Sequence, residues 1–394
     1  MKNQFSIAIS LLMLSISILS GCATTQVVID NSRPATQAAE PIPFDERLDI
    51  GVLAVDSNIP ADLAKIEREL IVPEVRRAES SYISYQLKNT LEYTGNWGAV
   101  RVTPESSKSV DLELQGKILK SDGEKLKVLM RVTDAMGKVW FERTYEDTAS
   151  RFSYKKPKED PFQDLYNDIA NDLLKTREGL SREQLLEIKT VANLNFASDL
   201  APDAFTGYLD ESNRGQVKPV QLPAETDSMM RRVERIKEQE YLFVDTLDDY
   251  YSRFFREMKP SYDEWRHATY DEAIRLREVQ RQAKTSLLTG IGLIAVGIAA
   301  GSEGNSWATD AAAAGAVVGG IGAIKSGLQR RKEAEIHAES LRELSQSLGT
   351  EITPYVLDIE GRTIELSGTA QEQYAQWRKL LKKIYIQETS LPAQ

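Results

Sequence analysis

The fold of this 394-residue chain is decided by Val110–Glu146, VDLELQGKILKSDGEKLKVLMRVTDAMGKVWFERTYE. Three segments of this stretch alternate apolar and polar residues, a period of two that is typical of strands with one buried face. They are separated by Ser121-Asp122-Gly123 and by Asp134-Ala135-Met136-Gly137, which contain the Asp and Gly residues that tight hairpins require. The stretch therefore predicts a three-stranded antiparallel meander.

Four further elements flank the meander. Before it, the pattern predicts a buried strand at Asp49–Val55 (DIGVLAV), an amphipathic helix at Pro73–Tyr93 and a second strand at Ala99–Pro104. After it, the apolar residues of Phe162–Leu174 recur at helical spacing. The order strand, helix, strand, meander, helix predicts a β-α-β-β-β-α domain. We expect an α+β layer with helices on one face of a largely antiparallel sheet.

This order of elements covers residues 48–177 and includes an Asp-x-x-Gly-Lys-Val-Trp hairpin at Asp134–Trp140. In both respects it resembles the small periplasmic domain shared by the curli secretion channel lipoproteins and the Tol propeller proteins. The resemblance implies an assembly or binding module. That fold has no catalytic residues of its own to carry over.

The region 178–260 is predicted to be a mostly helical connector. Ser181 with Gln184 fits a capping box at a helix start, and a charged helix runs from about Ser228. Pro260 is predicted to end that helix, because proline lacks the backbone N–H that a helix interior needs. Ser261 with Glu264 would then cap a new helix. The aromatic residues from Tyr241 to Tyr270 are more typical of helix packing than of a ligand site.

The C-terminal region 349–394 predicts a small ββα unit. Two short strands, VLDIE and TIELSG, flank Gly361-Arg362, and Thr369 with Glu372 fits a second capping box. The Leu-Ser-Gly ending before a helix resembles the phospholipid-binding repeats known as BON domains.

Between these regions, residues 261–348 predict a helical hairpin with a glycine-rich apolar tip. Thr285–Gly301 contains no charge, Ser302–Trp307 is a polar break, and Ala311–Ile324 is apolar again. Four-residue spacing places small residues on one stripe of each arm, a glycine zipper that lets helices approach closely. The stripe consists of Gly297, Gly301, Ala311, Gly315, Gly319, Ala323 and Gly327.

Basic residues flank both arms of this hairpin. They would meet at the same end of it, where lipid headgroup phosphates could bind them: Arg281, Lys284, Lys325, Arg330 and Arg331. One interpretation is therefore a membrane-inserted or membrane-apposed hairpin. The other is a hairpin buried in a soluble helical domain, which avoids the cost of taking Glu303 and Asp310 through hydrocarbon.

The N terminus predicts export. Lys2 and the short apolar stretch Phe5–Leu19 form a signal peptide over residues 1–21. The sequence Leu19-Ser20-Gly21-Cys22 resembles the lipobox of bacterial lipoproteins, which implies cleavage before Cys22, a diacylglycerol on its thiol and acylation of its amine. By resemblance to enterobacterial sorting, Ala23 in place of aspartate implies the periplasmic face of the outer membrane. Residues 22–47, rich in Thr, Ala, Pro and Gln, predict a flexible tether.

Composition excludes several classes of function. Cys22 is the one cysteine, so its lipidation leaves no thiol for a disulfide, a metal or a nucleophile. A net charge of −10 disfavours nucleic acid as a partner. The two histidines, His267 and His337, lie in charged segments that are typical of a solvated surface. We find no catalytic residues, no metal ligands and no cofactor motif.

The sequence thus predicts a non-enzymatic, lipid-anchored envelope protein. It would form a homo-oligomer or join an envelope assembly or transport machine, and contact the membrane through its lipid and its hairpin. One alternative is a monomeric periplasmic binding or scaffold lipoprotein with the hairpin buried. Another is a hydrolase whose site a single sequence does not reveal.

Overall fold

The computed structural model describes residues 33–300 except 70, 156, 212–214 and 225. It also describes residues 336, 338–340, 342, 343, 346 and 354–390 except 360–361. For residues 278–300 the description is of the backbone alone. The residues from Pro34 onward belong to one compact unit.

A five-stranded sheet forms the centre of the N-terminal part. Its strands are β1 (Ile50–Leu53), β2 (Val100–Thr103), β3 (Leu112–Ser121), β4 (Lys125–Asp134) and β5 (Val139–Thr148), in the order β2-β1-β3-β4-β5. The predicted meander β3-β4-β5 is confirmed, with antiparallel pairs such as Leu114↔Val132.

The prediction of a largely antiparallel sheet is wrong, because the sheet is mixed. β1 runs parallel to both of its neighbours, with Ile50 opposite Val100 on one side and Leu112 on the other. A helix connects β1 to β2 and returns the chain to the end at which β1 began, which makes the pair parallel. Alternation within one strand carries no information on the direction of its neighbour, so the sequence pattern could not distinguish the two arrangements.

Two helices cover the sheet, α2 (Pro73–Thr94) and α3 (Gln163–Glu178), and a short helix α1 (Leu63–Arg68), which the sequence did not predict, precedes them. α2 ends at Gly95, whose φ of +67° is a left-handed conformation that glycine adopts without strain. The apolar side chains of β1, β3 and β4 pack against α2 and α3 in one buried cluster. We call β1–β5 with α1–α3 the body.

Residues 34–47, which we call the strap, lie along the body. Thr36 accepts a hydrogen bond from Asn96 and donates one to Asn171, and the backbone N–H of Ala38 donates to the carbonyl of Thr94. Ala35 packs against the body's core. The predicted tether is therefore too long at its C-terminal end, because Pro- and Ala-rich composition predicted flexibility where backbone groups find fixed partners.

After the body come α4 (Arg182–Leu200), a two-stranded sheet of β6 (Leu209–Glu211) and β7 (Val217–Pro219), and a long helix, α5 (Ser228–Ala300). The capping box at Ser181 and Gln184 is confirmed, with each side chain bonded to the other's backbone N–H. At about 1.5 Å per residue, α5 extends over roughly 110 Å.

The predicted break at Pro260 is wrong, because α5 continues through it. Ser261 and Glu264 are therefore interior helix residues rather than a cap. An interior proline costs about 3 kcal/mol. Burial of the neighbouring Met258 and Tyr262 against α2 offsets that cost, since each is at most 1% exposed. A local rule was overridden by tertiary packing.

The C-terminal ββα unit is confirmed as β8 (Tyr355–Ile359), β9 (Arg362–Leu366) and α6 (Ala370–Ser390). Thr369 and Glu372 form the predicted reciprocal cap. The unit is not separate, because Trp377 of α6 stacks on Phe243 of α5 in a second buried cluster that also contains Val102 of β2. In the described part of the chain, no helix is both long enough and apolar enough to cross a membrane.

Candidate functional site

Many of the ionisable groups with shifted pKa values lie where α5 crosses the body. We call this surface the helix junction, and it extends along α5 from Val233 to Arg277. Charged groups are costly to bury unless they are paired and hydrogen-bonded. A concentration of buried charge therefore marks a place where position matters more than stability alone.

Arg266 is the most deeply buried charge of the junction. Its two terminal nitrogens bind the two carboxylate oxygens of Asp160 at 3.1 and 3.0 Å, and it also contacts Asp263. The side chains of Arg266 and Asp160 are 1% and 2% exposed. Burial opposes ionisation of Asp160, but the charge and hydrogen bonds of Arg266 prevail and hold its pKa below the ordinary value. This bidentate pair fixes α5 to the loop before α3.

Glu79 is a second fully buried centre, on α2. It forms an ion pair with Arg76 at 3.2 Å and accepts hydrogen bonds from Ser121 at the end of β3 and from Tyr262 of α5. Tyr82, one turn along α2, donates to Asp160 at 2.9 Å. Glu79 therefore holds three elements together with one carboxylate.

Gly123, in the turn between β3 and β4, lies directly against α5. A Cβ atom at this position would lie 2.5 Å from the carbonyl oxygen of Arg266 and 2.5 Å from Oγ1 of Thr269. The φ of Gly123 is +78°, which also favours glycine. The sequence identified this glycine as a turn residue but not as a contact with a helix.

Near the start of α5, the junction contains two carboxyl groups, Asp49 and Asp111. Tyr241 donates to Asp49 at 3.1 Å, and Lys237 donates to Asn193 at 2.7 Å. Burial raises the pKa of Asp111 to about 6, and the negative charge of Asp49 adds to the effect while Lys237 opposes it. Burial lowers the pKa of Lys237. Both groups therefore ionise less readily than they would in water.

Glu240 fixes the C-terminal unit to the junction. This residue is 0% exposed and accepts hydrogen bonds from Ser109, from Tyr374 at 3.0 Å and from Arg378. Arg378 also contacts Asp199 of α4. One arginine thus joins α4, α5 and α6.

Ion pairs at the rim of the junction involve two aspartates of α5. Asp248 forms an ion pair with Lys88 at 2.7 Å, and Asp245 forms one with Arg101. Nearer the C-terminal end of α5, Arg277 binds Asp122 at 2.7 Å and also contacts Glu124. The cations at Asp245 and Asp248 are therefore side chains of this protein.

The contacts define the direction of α5 on the body. Lys88 meets Asp248, Tyr85 meets Phe255, and Glu79 meets Tyr262. Residue numbers fall along α2 as they rise along α5, so the two helices are antiparallel. α5 therefore leaves the body past the N-terminal end of α2.

The charged groups of the junction attach α5 to the elements around it. Its carboxylates and cations bind one another, and within the described residues no group of three His, Cys, Asp or Glu side chains could hold a metal ion. His267 stacks on Tyr154 at 5.4 Å between ring centroids. The prediction that the aromatic zone packs helices is confirmed, since Phe243, Phe254 and Trp265 are buried in it.

The site residues predicted from the sequence lie outside the part of the chain whose side chains are described. Cys22, Gly301, Ala311, Gly315, Gly319, Ala323, Gly327, Lys325, Arg330, Arg331 and His337 fall among the residues not described, and Gly297, Arg281 and Lys284 are described as backbone of α5. The junction itself was missed. Its one signal was the density of Asp, Arg and aromatic residues between Tyr241 and Arg277.

Within the predicted hairpin region, Ala338 packs against the cluster that contains Met258 and Tyr262. No protein-family model, no curated protein and no solved structure matches this chain.

Proposed function

We propose that this chain is a lipid-anchored cell-envelope protein that works without catalysis, as a structural or accessory component of an oligomeric outer-membrane assembly or transport machine. Lipid on Cys22 attaches it to the periplasmic face of the outer membrane. The body, similar in element order to the periplasmic assembly domains named above, makes the protein contacts. The long helix presents the glycine-rich hairpin.

The single observation that carries this proposal is the helix junction. Arg266, Asp160 and Glu79 are almost completely buried and form hydrogen bonds that join α2, α5 and the loop before α3. Removing one partner of such a pair strongly destabilises the folded protein, so the pairs hold α5 in one position on the body. A helix fixed in this way is suited to hold the segment beyond it at a defined place.

The position of Ala338 and the sequence of the arms support the hairpin. Ala338 packs against the cluster that contains Met258 and Tyr262. The stretches Thr285–Gly301 and Ala311–Ile324 carry no charge, so they are suited to contact lipid or other copies of the chain.

The anchor is tested by mass spectrometry of the N-terminal peptide from protein made in a Gram-negative host. We expect an acylated peptide that begins at Cys22. Cys22→Ala should abolish acylation, while the matched control Ser20→Ala, which keeps the cysteine and a small residue in the lipobox, should retain it. A native peptide that still carries Met1, or one free of acyl groups, would disprove the anchor.

The Cys22→Ala protein made without its signal peptide distinguishes the proposed function from its alternative, a monomeric scaffold with a buried hairpin. If the hairpin engages lipid or other copies, this protein stays with membranes or has a multiple of the monomer mass by light scattering. If the hairpin is buried, the protein is a monomer in buffer. Gly315→Leu with Gly319→Leu should lower the mass if the stripe lies between subunits.

A further inference from the structure

The loop between β5 and α3, residues 150–158, presents one large apolar side chain to solvent. Phe152 is 80% exposed, whereas Tyr154 is partly buried and Phe162, at the start of α3, is buried. Single exposed apolar residues are common on protein surfaces, so exposure alone assigns no role. Phe152 differs from such residues in how firmly the loop holds it and in the charges beside it.

Local hydrogen bonds hold Phe152 at the tip of a turn. The hydroxyl of Ser150 accepts hydrogen bonds from the backbone N–H groups of Phe152 at 3.2 Å and of Ser153 at 3.3 Å. The carbonyl of Phe152 in turn accepts the N–H of Lys155 at 3.1 Å. A serine side chain that binds the backbone two and three residues further on fixes a turn. The ring is therefore held outside the body in a defined position.

Contacts with the helix junction fix the loop as a whole. Tyr154 stacks on His267, with 5.4 Å between ring centroids, and its hydroxyl donates to the carbonyl of Gly123. Asp160, two residues after the loop, binds the buried Arg266. Because these contacts already order the loop, docking of its tip onto a partner costs little further conformational entropy.

Three cations accompany the exposed ring. Arg151, Lys155 and Lys158 are exposed, and in the described part of the chain no carboxylate forms an ion pair with them. The ammonium group of Lys155 lies 6.0 Å from the centroid of the Phe152 ring. Glu159 is the one exposed carboxylate next to the loop. A chain with a net charge of −10 therefore presents a local excess of positive charge around this aromatic tip.

We propose that residues 150–158 are a docking surface for an anionic lipid bilayer, in which the ring of Phe152 inserts between headgroups and the three cations bind lipid phosphates. Negative charge at the surface and apolar chains beneath it complement a basic loop with one aromatic ring at its tip.

A protein partner fits this tip less well. The core of a stable protein interface brings together several apolar side chains over about 1,000 Å² or more, and the loop exposes one. The inference goes beyond the proposed function because it assigns a lipid contact to the folded body. That contact needs neither the lipidated cysteine nor the glycine-rich hairpin.

The test places an environment-sensitive dye at the tip. In the Cys22→Ala protein made without its signal peptide, Phe152→Cys is labelled with NBD and mixed with vesicles of phosphatidylcholine and phosphatidylglycerol. We expect a blue shift of the NBD emission and its quenching by lipids that are brominated on their acyl chains. The matched control is the same label at Phe44→Cys, because Phe44 is 85% exposed but is followed by Asp45 and Glu46. The control label should not respond.

A second pair of variants tests the cations. Replacing Arg151, Lys155 and Lys158 with Gln should weaken vesicle binding of the labelled tip by about fivefold for each cation removed. The control replaces three exposed lysines elsewhere in the chain, Lys65, Lys108 and Lys218, with Gln. It removes the same charge and should leave the response of the label at position 152 almost unchanged.

Four results would overturn the inference. A label at position 152 that does not respond, whether or not the protein floats with the vesicles, would show that this loop does not touch lipid. An equal response to vesicles of phosphatidylcholine alone, or equal weakening by the two triple variants, would show that the three cations do not recognise the headgroups. A response to rising protein concentration without vesicles would show that a second copy is the partner.

These outcomes are independent of the proposed function, because the protein tested carries no lipid. Acylation of Cys22 is decided separately by mass spectrometry of the native protein. Circular dichroism of each variant checks that the body remains folded, as expected for changes at exposed positions.

Discussion

Gly123 lies directly against the backbone of Arg266, so close that a methyl group on its Cα would approach the arginine's carbonyl oxygen to 2.5 Å. The turn of the meander and the long helix are therefore in contact through backbone atoms. Flexible side chains can move away from an added atom, but two backbone segments cannot do so without separating.

Gly123→Ala should therefore weaken the docking of α5. The left-handed φ of +78° costs a non-glycine residue about 1–2 kcal/mol, and overpacking adds about 1–3 kcal/mol. The matched control is Gly207→Ala, where φ is +84° but no atom lies within 4 Å of the added Cβ. Urea unfolding should show a larger loss of unfolding free energy for Gly123→Ala, and equal losses would contradict the contact.

Arg266→Met should be among the most damaging single changes in the described part of the chain. It leaves Asp160 buried without its cation, which costs about 3–5 kcal/mol of unfolding free energy. The double variant Arg266→Met with Asp160→Asn should recover part of that loss, because no charge remains buried there. Arg342→Met, which breaks an exposed pair with Glu339, should have a far smaller effect on the unfolding free energy, because solvent screens that pair. A double variant that loses at least as much unfolding free energy as Arg266→Met alone would argue against the pair.

Features of this fold differ in how well they could be predicted from the sequence. The meander was predictable from the alternation in β3–β5 and from the turn at Asp134–Gly137, because both signals are local. The direction of β1 was not, since it depends on which strands it joins. The continuation of α5 through Pro260 was missed for the same reason: burial of Tyr262 against α2 outweighs a rule about one residue.

The helix junction could not be predicted from the sequence, because its key residues are charged. Arg266 and Asp160 are 106 positions apart, and each stands among residues that are typical of a solvated surface. Nothing in either neighbourhood indicates that the two meet in the interior. The capping pairs Ser181–Gln184 and Thr369–Glu372 were predictable because both partners lie within one turn of a helix.

The pKa of Asp111, raised to about 6 by burial, predicts an unusual dependence of stability on pH. Between pH 4 and pH 6 the unfolded chain has released this proton while the folded protein keeps it. Stability should therefore fall as pH rises through this range, by roughly 3 kcal/mol from this group, and then level off. Asp49, Lys189, Lys237 and Tyr241 face the same centre, so the measurement must isolate Asp111.

Asp111→Asn isolates it, because an amide oxygen can still accept the hydrogen bond from the backbone of Asp49 but does not titrate. The unfolding free energy of both proteins is measured from pH 4 to pH 8. The difference between the two curves should change between pH 4 and pH 6 and be constant above. Parallel curves would show that Asp111 ionises normally.

The C-terminal unit should depend on Arg378 far more than on Lys382, although both bind Asp199. Arg378 alone also reaches Glu240, which is 0% exposed, so Arg378→Met leaves a buried carboxylate without its cation. Lys382→Met removes only a partly exposed pair. We expect hydrogen exchange in α6 to accelerate strongly in the first variant and little in the second. Equal exchange would show that apolar packing around Trp377 is sufficient to hold the unit.

The separation of the two ends of the molecule can be measured without a membrane. In the Cys22→Ala protein made without its signal peptide, spin labels are attached to Gln37→Cys in the strap and to Thr285→Cys on α5. If α5 is one straight helix that leaves the body at Arg277, the two labels lie about 60 Å apart, since 40 residues of helix separate their levels. A label pair at Gln37→Cys and Asp249→Cys, close to the strap level, should give a much shorter distance. A Gln37–Thr285 distance as short as that of the Gln37–Asp249 pair would mean that α5 folds back on the body.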